Sequence, residues 1–104
     1  MRIIITGKDF KLTPSLKDYV QEKALKLIKY NNHIQQVKYE LDYDHNQKSG
    51  DINRVEIWAT IPGRVLQVGL KASDMHAAID VATDKINRQL VKAKEKLADQ
   101  KKRG

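Results

Sequence analysis

The sequence predicts an α+β domain with the element order β-α-β-β-β-α, in which a four-stranded sheet carries two helices packed on one face. Two segments repeat apolar residues at the helical period, and three segments alternate apolar with polar residues as half-buried strands do. A chain of 104 residues can bury one modest core. We therefore assign residues 1–100 to a single domain and residues 101–104 to a frayed basic tail.

The first strand and the first helix follow from local signals. Arg2 to Gly7 is rich in β-branched residues, which predicts a buried strand that ends at Gly7. Thr13 is typical of a helix N-cap, and Pro14 suits the first helical position because its missing N–H needs no partner there. The apolar side of this helix runs through about Tyr30 and consists of Leu16, Val20, Ala24, Leu27 and Ile28.

Three further strands each show one apolar face. Residues 37–44 alternate apolar with charged side chains, so the buried face is predicted to hold Val37, Tyr39, Leu41 and Tyr43. Residues 45–51 read as a polar loop. Residues 55–61 and 66–72 alternate in the same way on either side of Pro62-Gly63, a pair that suits the centre of a type II turn. These two strands therefore form a hairpin.

The last helix is the longest element. Ser73 or Asp74 is expected to cap it, and it extends from Met75 to about Gln100. Its predicted apolar side consists of Met75, Ile79, Ala82, Ile86, Leu90, Ala93 and Leu97.

The positive charge of the protein is concentrated on that helix. The formal net charge is +7, and residues 85–104 hold eight Lys or Arg against two acidic residues, so they contribute +6 of it. At about 100° per residue, five of these cations fall within a sector roughly 80° wide, whose centre lies about 110° from the apolar stripe: Lys85, Arg88, Lys92, Lys96 and Arg103. The helix dipole accounts for the order of the charges but not for their number or alignment. The pattern predicts a surface that binds polyanions such as nucleic acid.

Composition argues against several other classes of protein. The chain has no Cys, so it forms no disulfide or thiolate metal site, as expected for a reducing cytosol. No run approaches the roughly 20 apolar residues of a membrane span, and the N-terminus lacks the pattern of a signal peptide. We expect a cytoplasmic protein with no membrane partner and no small-molecule substrate.

We predict no cofactor, no metal and no catalysis. Asp42, Asp44 and His45 are close in sequence, but no second group of ligands completes a site, and a polar sheet face leading into a loop is the favoured interpretation. The three histidines lie on different elements, and no Ser or Cys has a recognisable nucleophile context. Trp58 is expected to face away from the buried side, where it either stacks on a base, lies under a loop or lies on an open sheet face.

The last helix also carries a recognisable pattern. The segments Asp74-Met75-His76-Ala77-Ala78-Ile79-Asp80, Asp84-Lys85-Ile86, Arg88-Gln89-Leu90 and Lys92-Ala93-Lys94-Glu95-Lys96 resemble the C-terminal helix of the bacterial ribosome hibernation promoting factors and ribosome-associated translation inhibitors. The resemblance covers the whole chain, since Thr6-Gly7, Thr13 with Leu16, and Lys26-Leu27 to Tyr30 also match.

This resemblance implies a fold like that of double-stranded RNA-binding domains and a partner, the small ribosomal subunit with its ribosomal RNA. It implies that the protein occupies the mRNA and tRNA channel and inhibits translation in stationary phase or stress. The phosphate contacts that it implies are Lys85, Arg88 and Lys92, with Lys96 as a fourth and Lys94 further round the helix. Lys23 and Lys26 on the first helix are weaker candidates, which equally suit ordinary solvated lysines.

The chain also departs from the family pattern. His76 stands where the family usually has Tyr, and we interpret it as a partly exposed residue of the first turn. The chain ends soon after the helix, which favours a short family member that acts with a separate modulation factor to store ribosomes as dimers. Three alternatives stay open: a general double-stranded RNA-binding module, an enzyme acting on RNA, and a domain whose basic helix meets an acidic protein.

Overall fold

A computed structural model describes residues 2–44 and 50–103 of the chain, with side chains up to residue 96. The predicted element order is confirmed, and the elements are β1 (Arg2–Lys8), α1 (Pro14–Tyr30), β2 (Gln36–Tyr43), β3 (Asn53–Ile61), β4 (Arg64–Ala72) and α2 (Met75–Arg103). Most of the loop predicted over residues 45–51, Leu97 as a core residue and the side chains of the tail lie outside the described part.

The four strands form one sheet in the order β1-β2-β3-β4. β1 and β2 are parallel and are joined through α1, whereas β2, β3 and β4 are antiparallel neighbours. The predicted hairpin is confirmed, because Ile61 pairs with Arg64 across Pro62-Gly63. Gly63 has a φ of 82°, the left-handed conformation that the second central position of a type II turn requires.

Both helices cover the same face of the sheet and share one core with it. The buried cluster combines residues of α1 and α2 with the inward residues of β2, β3 and β4. Tyr39 of β2 has no exposed surface, and its hydroxyl lies 2.8 Å from Oγ1 of Thr83 on α2. This packing makes α2 a rigid part of the domain. Among the helices of the described residues, neither is both long enough and apolar enough to cross a bilayer.

The helix ends follow the predicted signals. The Leu16 backbone N–H donates to Oγ1 of Thr13 at 3.2 Å, which confirms that cap. Of the two predicted caps for α2, Asp74 takes the position, since Oδ2 of its carboxylate accepts from the Ala77 N–H at 2.9 Å. Asn31 ends α1, and its buried Nδ2 donates to both the Leu27 carbonyl and Oδ1 of Asn87 at 2.8 Å. Asn31 therefore also joins the two helices.

Three sequence-based expectations need correction. β1 is only partly buried, because it is an edge strand with one neighbour, and it ends at Lys8 rather than at Gly7. Tyr43 is 38% exposed at the end of β2, where its ring packs edge-on against Phe10 with 4.6 Å between centroids. The helical backbone of α2 continues to Arg103, three residues beyond the end expected at about Gln100.

Candidate nucleic-acid interface

α2 presents two different surfaces. Its apolar side is packed on the sheet, and Ile79, Ile86 and Leu90 are fully buried. A neighbouring flank of the helix carries four exposed cations. We call them the cationic row: Lys85, Arg88, Lys92 and Lys96. Burial thus confirms the predicted separation between the apolar stripe and the row, whereas contact of the row with RNA stays a prediction. The buried side holds the row at one place on the domain.

No carboxylate among the side chains that the structure describes neutralises the cationic row. Four salt bridges join side chains among residues 2–44 and 50–96, and none of them includes a member of the row. The carboxylates that form ion pairs use other cations: Asp80 with Lys23, Glu40 with Lys38, Asp42 with Arg54, and Asp44 with Lys71. Successive members of the row are three or four residues apart, so they repel one another, and a polyanion would offset that repulsion.

Lys94 lies on a different flank of α2 from the cationic row. It is exposed, and its charge acts on His33, which follows α1 in the chain. Partial burial and then the positive charge of Lys94 lower the pKa of His33. A single strand of RNA along the row would therefore not meet Lys94 on the same side. Its contact with RNA stays a prediction.

The two lysines predicted on α1 have different surroundings. Lys23 is partly buried, and its Nζ lies 3.1 Å from Oδ1 of Asp80, which also accepts from the Tyr19 hydroxyl at 2.5 Å. Lys26 is exposed. Both line a groove of about 150 Å³ between the helices, together with Leu27, Tyr30, Thr83, Asp84 and Asn87. Of the two, Lys26 is the freer cation, and RNA contact at either stays a prediction.

Sequence reasoning missed one cation beside the row. Arg64, the first residue of β4, is exposed and lines a concavity of about 190 Å³ with Lys92 and Lys96. The alternation of β4 could have identified Arg64. It lies two residues before Leu66 and four before Val68, which are buried, so Arg64 belongs to the face of the sheet that α2 covers.

His76 and Trp58 occupy the positions that their patterns predict. His76 is exposed in the first turn of α2, and its ring meets Tyr19 edge-on with 4.7 Å between centroids. Trp58 pairs in register with Lys38 on the face opposite the helices, and Nζ of Lys38 lies 5.3 Å from the Trp58 ring centroid. Whether Trp58 stacks on a base is a separate prediction.

The acidic residues of β2 have structural partners. Asp42 is buried, its Oδ2 accepts from Arg54 at 2.6 Å, and its Oδ1 accepts from the Tyr43 backbone N–H at 2.8 Å. Burial raises the pKa of Asp42, but these hydrogen bonds outweigh burial and lower it overall. Asp44 accepts from Lys71 at 2.6 Å. Within the described ranges, no group of three or more His, Asp or Glu side chains is arranged to hold a metal ion.

Comparison with known families gives a match over most of the chain. Residues 3–98 match the family model described as "Sigma 54 modulation protein / S30EA ribosomal protein". The matched range includes all four strands apart from Arg2, the first residue of β1, and it also includes the whole cationic row.

Several curated relatives are similar over nearly the whole chain. A ribosome hibernation promoting factor of Escherichia coli K12 is 36% identical over 101 residues, covering 93% of this chain and 97% of the relative. One of Klebsiella oxytoca is 34% identical over 97 residues, covering 93% and 97%. The ribosome hibernation promotion factor of Deinococcus radiodurans is 31% identical over 100 residues, covering 96% of this chain but 52% of the relative. The chain therefore spans about half the length of some relatives and nearly all of others.

Solved structures show the same fold. The N-terminal domain of Protein Y from Thermus thermophilus superposes with a TM-score of 0.70 and 28% identity, covering 86% of this chain and 96% of that one. A ribosomal subunit interface protein from Coxiella burnetii superposes with a TM-score of 0.79 at 21% identity, covering 91% and 99%.

Proposed function

The chain belongs to the S30EA ribosomal protein family, and on that premise we propose that it is a ribosome hibernation factor that binds the small ribosomal subunit through α2. It lies in the mRNA and tRNA channel, inhibits translation in stationary phase or stress, and helps to store inactive ribosomes in the cytoplasm. The observation that carries this proposal is the exposed cationic row on a helix whose other side is buried in the core.

The proposed mechanism is occupancy rather than catalysis. Lys85, Arg88, Lys92 and Lys96 contact phosphates of ribosomal RNA, and each contact releases counterions from the RNA. Such contacts set the position and orientation of the domain without reading sequence. The rest of the domain then fills space that mRNA and the tRNA anticodon stem would use. A separate modulation factor pairs the silenced ribosomes.

The salt dependence of binding tests the phosphate contacts. Purified small subunits are sedimented with the protein at graded salt, and the bound fraction gives an affinity at each concentration. Four phosphate contacts predict a slope of about −3 to −4 in a plot of log affinity against log salt. Binding with a slope near zero would contradict the mechanism, because it would not depend on ion release.

Charge reversal tests the assigned surface. The triple variant K85E/R88E/K92E should lose co-sedimentation while its circular dichroism spectrum stays unchanged. A matched control reverses three exposed lysines away from the row, Lys11, Lys17 and Lys29. Each reversal removes two units of charge, so both variants fall from a net charge of +7 to +1. If the control lost binding as completely as the row variant, net charge rather than the cationic row would explain the binding.

A general double-stranded RNA-binding module would share the same row, since about 16 Å of aligned cations suits any RNA backbone. Competition separates the two functions. A hibernation factor should stay on small subunits in the presence of excess plain RNA duplex, whereas a general module should be displaced in proportion to the duplex phosphate added. Ribosome sedimentation profiles from stationary cells with and without the gene then test whether stored dimers depend on the protein.

A further inference from the structure

A concavity lies between the C-terminal half of α2 and the start of β4, at one end of the cationic row. Its volume is about 190 Å³, and its lining consists of Arg64, Leu66, Gln89, Lys92, Ala93 and Lys96. Leu66 and Ala93 are 4% and 5% exposed, so they form an apolar floor. The other four lining side chains are three cations and one amide, and none is a carboxylate.

The fold explains why Arg64 meets the helix there. The tight turn at Pro62-Gly63 pairs Arg64 with Ile61 and so determines the register of β4. Side chains alternate along a strand, and Leu66 and Val68 are buried beneath α2, so Arg64 belongs to the same face. The chain reverses after Ala72, which directs the later turns of α2 back towards the start of β4. Two rigid elements thus place Arg64 across from the row.

We propose that this concavity binds one backbone phosphate of ribosomal RNA, with Arg64 on the β4 side and Lys92 and Lys96 on the α2 side. This inference rests on the proposed function and adds a contact outside α2. The Arg64 guanidinium can donate two parallel hydrogen bonds to phosphate oxygens, and the Gln89 amide can donate one more. The apolar floor suits the sugar that adjoins the phosphate.

The charges around the concavity favour an anion. In the described part of the chain, Arg64, Lys92 and Lys96 take part in none of the salt bridges. Three like charges that face a shared concavity repel one another, and the apolar floor reduces screening by water. A phosphate between them would turn that repulsion into attraction. Because the site joins α2 to the hairpin, it also determines the direction in which the RNA strand leaves the row.

Salt-dependent binding of Arg64→Gln to purified small subunits tests the site. Arg64→Gln removes one of the cations at the phosphate, and each such loss makes the log-log slope shallower by about 0.7 to 0.9. The ratio of wild-type to variant affinity is then about threefold larger at 50 mM than at 200 mM salt. Arg2→Gln is the matched control, because Arg2 is exposed on the opposite edge strand and on the face away from the helices. We expect its slope to equal that of the wild type.

Two further variants test the geometry of the contact and the sharing of the phosphate. Arg64→Lys keeps the charge and should keep the wild-type slope while it loses affinity, because Lys lacks the planar fork of Arg. If Arg64 and Lys96 share one phosphate, the double variant R64Q/K96Q should lose less affinity than the product of the two single losses.

The outcomes separate this inference from the function on which it rests. A wild-type protein that binds small subunits with a steep slope, beside an R64Q variant that behaves like R2Q, overturns the phosphate site and leaves the cationic row intact. A wild-type protein that binds without salt dependence, or a K85E/R88E/K92E variant that binds normally, overturns the proposed function and this inference with it.

Discussion

Replacing Tyr39 with Phe removes one buried hydroxyl that joins the sheet to α2, the helix that carries the cationic row. The Tyr39 hydroxyl lies 2.8 Å from Oγ1 of Thr83, and that oxygen also donates to the Ile79 carbonyl at 2.7 Å. A threonine hydroxyl has a single proton, so Tyr39 must be the donor in the bond between them. The ring itself is unchanged by the substitution, so the core packing is kept.

At neutral pH the substitution has a modest cost. It removes one hydrogen bond and leaves an acceptor position on Oγ1 of Thr83 without its partner. The expected loss of unfolding free energy is about 1 kcal/mol, the usual net value of such a bond. In a domain of this size, a loss of 1 kcal/mol lowers Tm by roughly 4–8 °C.

Alkaline pH should remove this advantage of the wild type. Burial raises the pKa of Tyr39 from 10.0 to about 12. Because the folded pKa is the higher one, the contribution of the neutral phenol to stability is complete below pH 10 and is lost as pH rises towards 12. At pH 11 this loss reaches about 1.4 kcal/mol, since one pKa unit corresponds to about 1.36 kcal/mol. Phe has no proton to lose, so the two proteins should become equally stable near pH 11.

Urea denaturation at intervals from pH 8 to pH 11 measures this convergence. All other residues are the same in both proteins, so their effects cancel in the difference between wild type and Tyr39→Phe. Tyr30→Phe is the control, because Tyr30 is 73% exposed and its substitution should change the stability only slightly. A difference for Tyr39→Phe that stayed constant up to pH 11 would refute the assignment of a buried donor to Tyr39.

Two other predictions concern the elements that support the row. Asp80→Asn should destabilise the domain by about 1 kcal/mol at pH 7 through the loss of charge-assisted bonds from Tyr19 and Lys23. Burial raises the pKa of Asp80, but those bonds outweigh it and lower the pKa overall, so the difference should shrink in urea titrations as pH falls below about 4. Ile86→Ala removes a fully buried side chain beneath the row and should cost about 2–5 kcal/mol in urea denaturation. A cost below 1 kcal/mol would show that α2 is not held by that core.

Much of the fold could be predicted because its signals are local. Alternation identified the buried faces of β3 and β4, and Thr13 and Pro14 marked the start of α1, since each signal depends on neighbours within one or two turns. The errors occurred where burial depends on the whole sheet. β1 has the composition of a central strand but lies at an edge, and Tyr43 continues the alternating pattern of β2, although the helices do not cover this end of the strand.

Some features of the candidate site could likewise be predicted from local sequence, and others depend on the tertiary structure. The sequence by itself determined which cations share one flank of α2, because helical geometry relates residues that are close in the chain. Only the tertiary structure decided which cations have carboxylate partners and which do not. Tyr19 and Asp80 are 61 positions apart, yet their side chains are hydrogen-bonded and draw Lys23 into an ion pair. Arg64 reaches the row from another element because α2 packs back along β4, and contacts between distant segments depend on that packing.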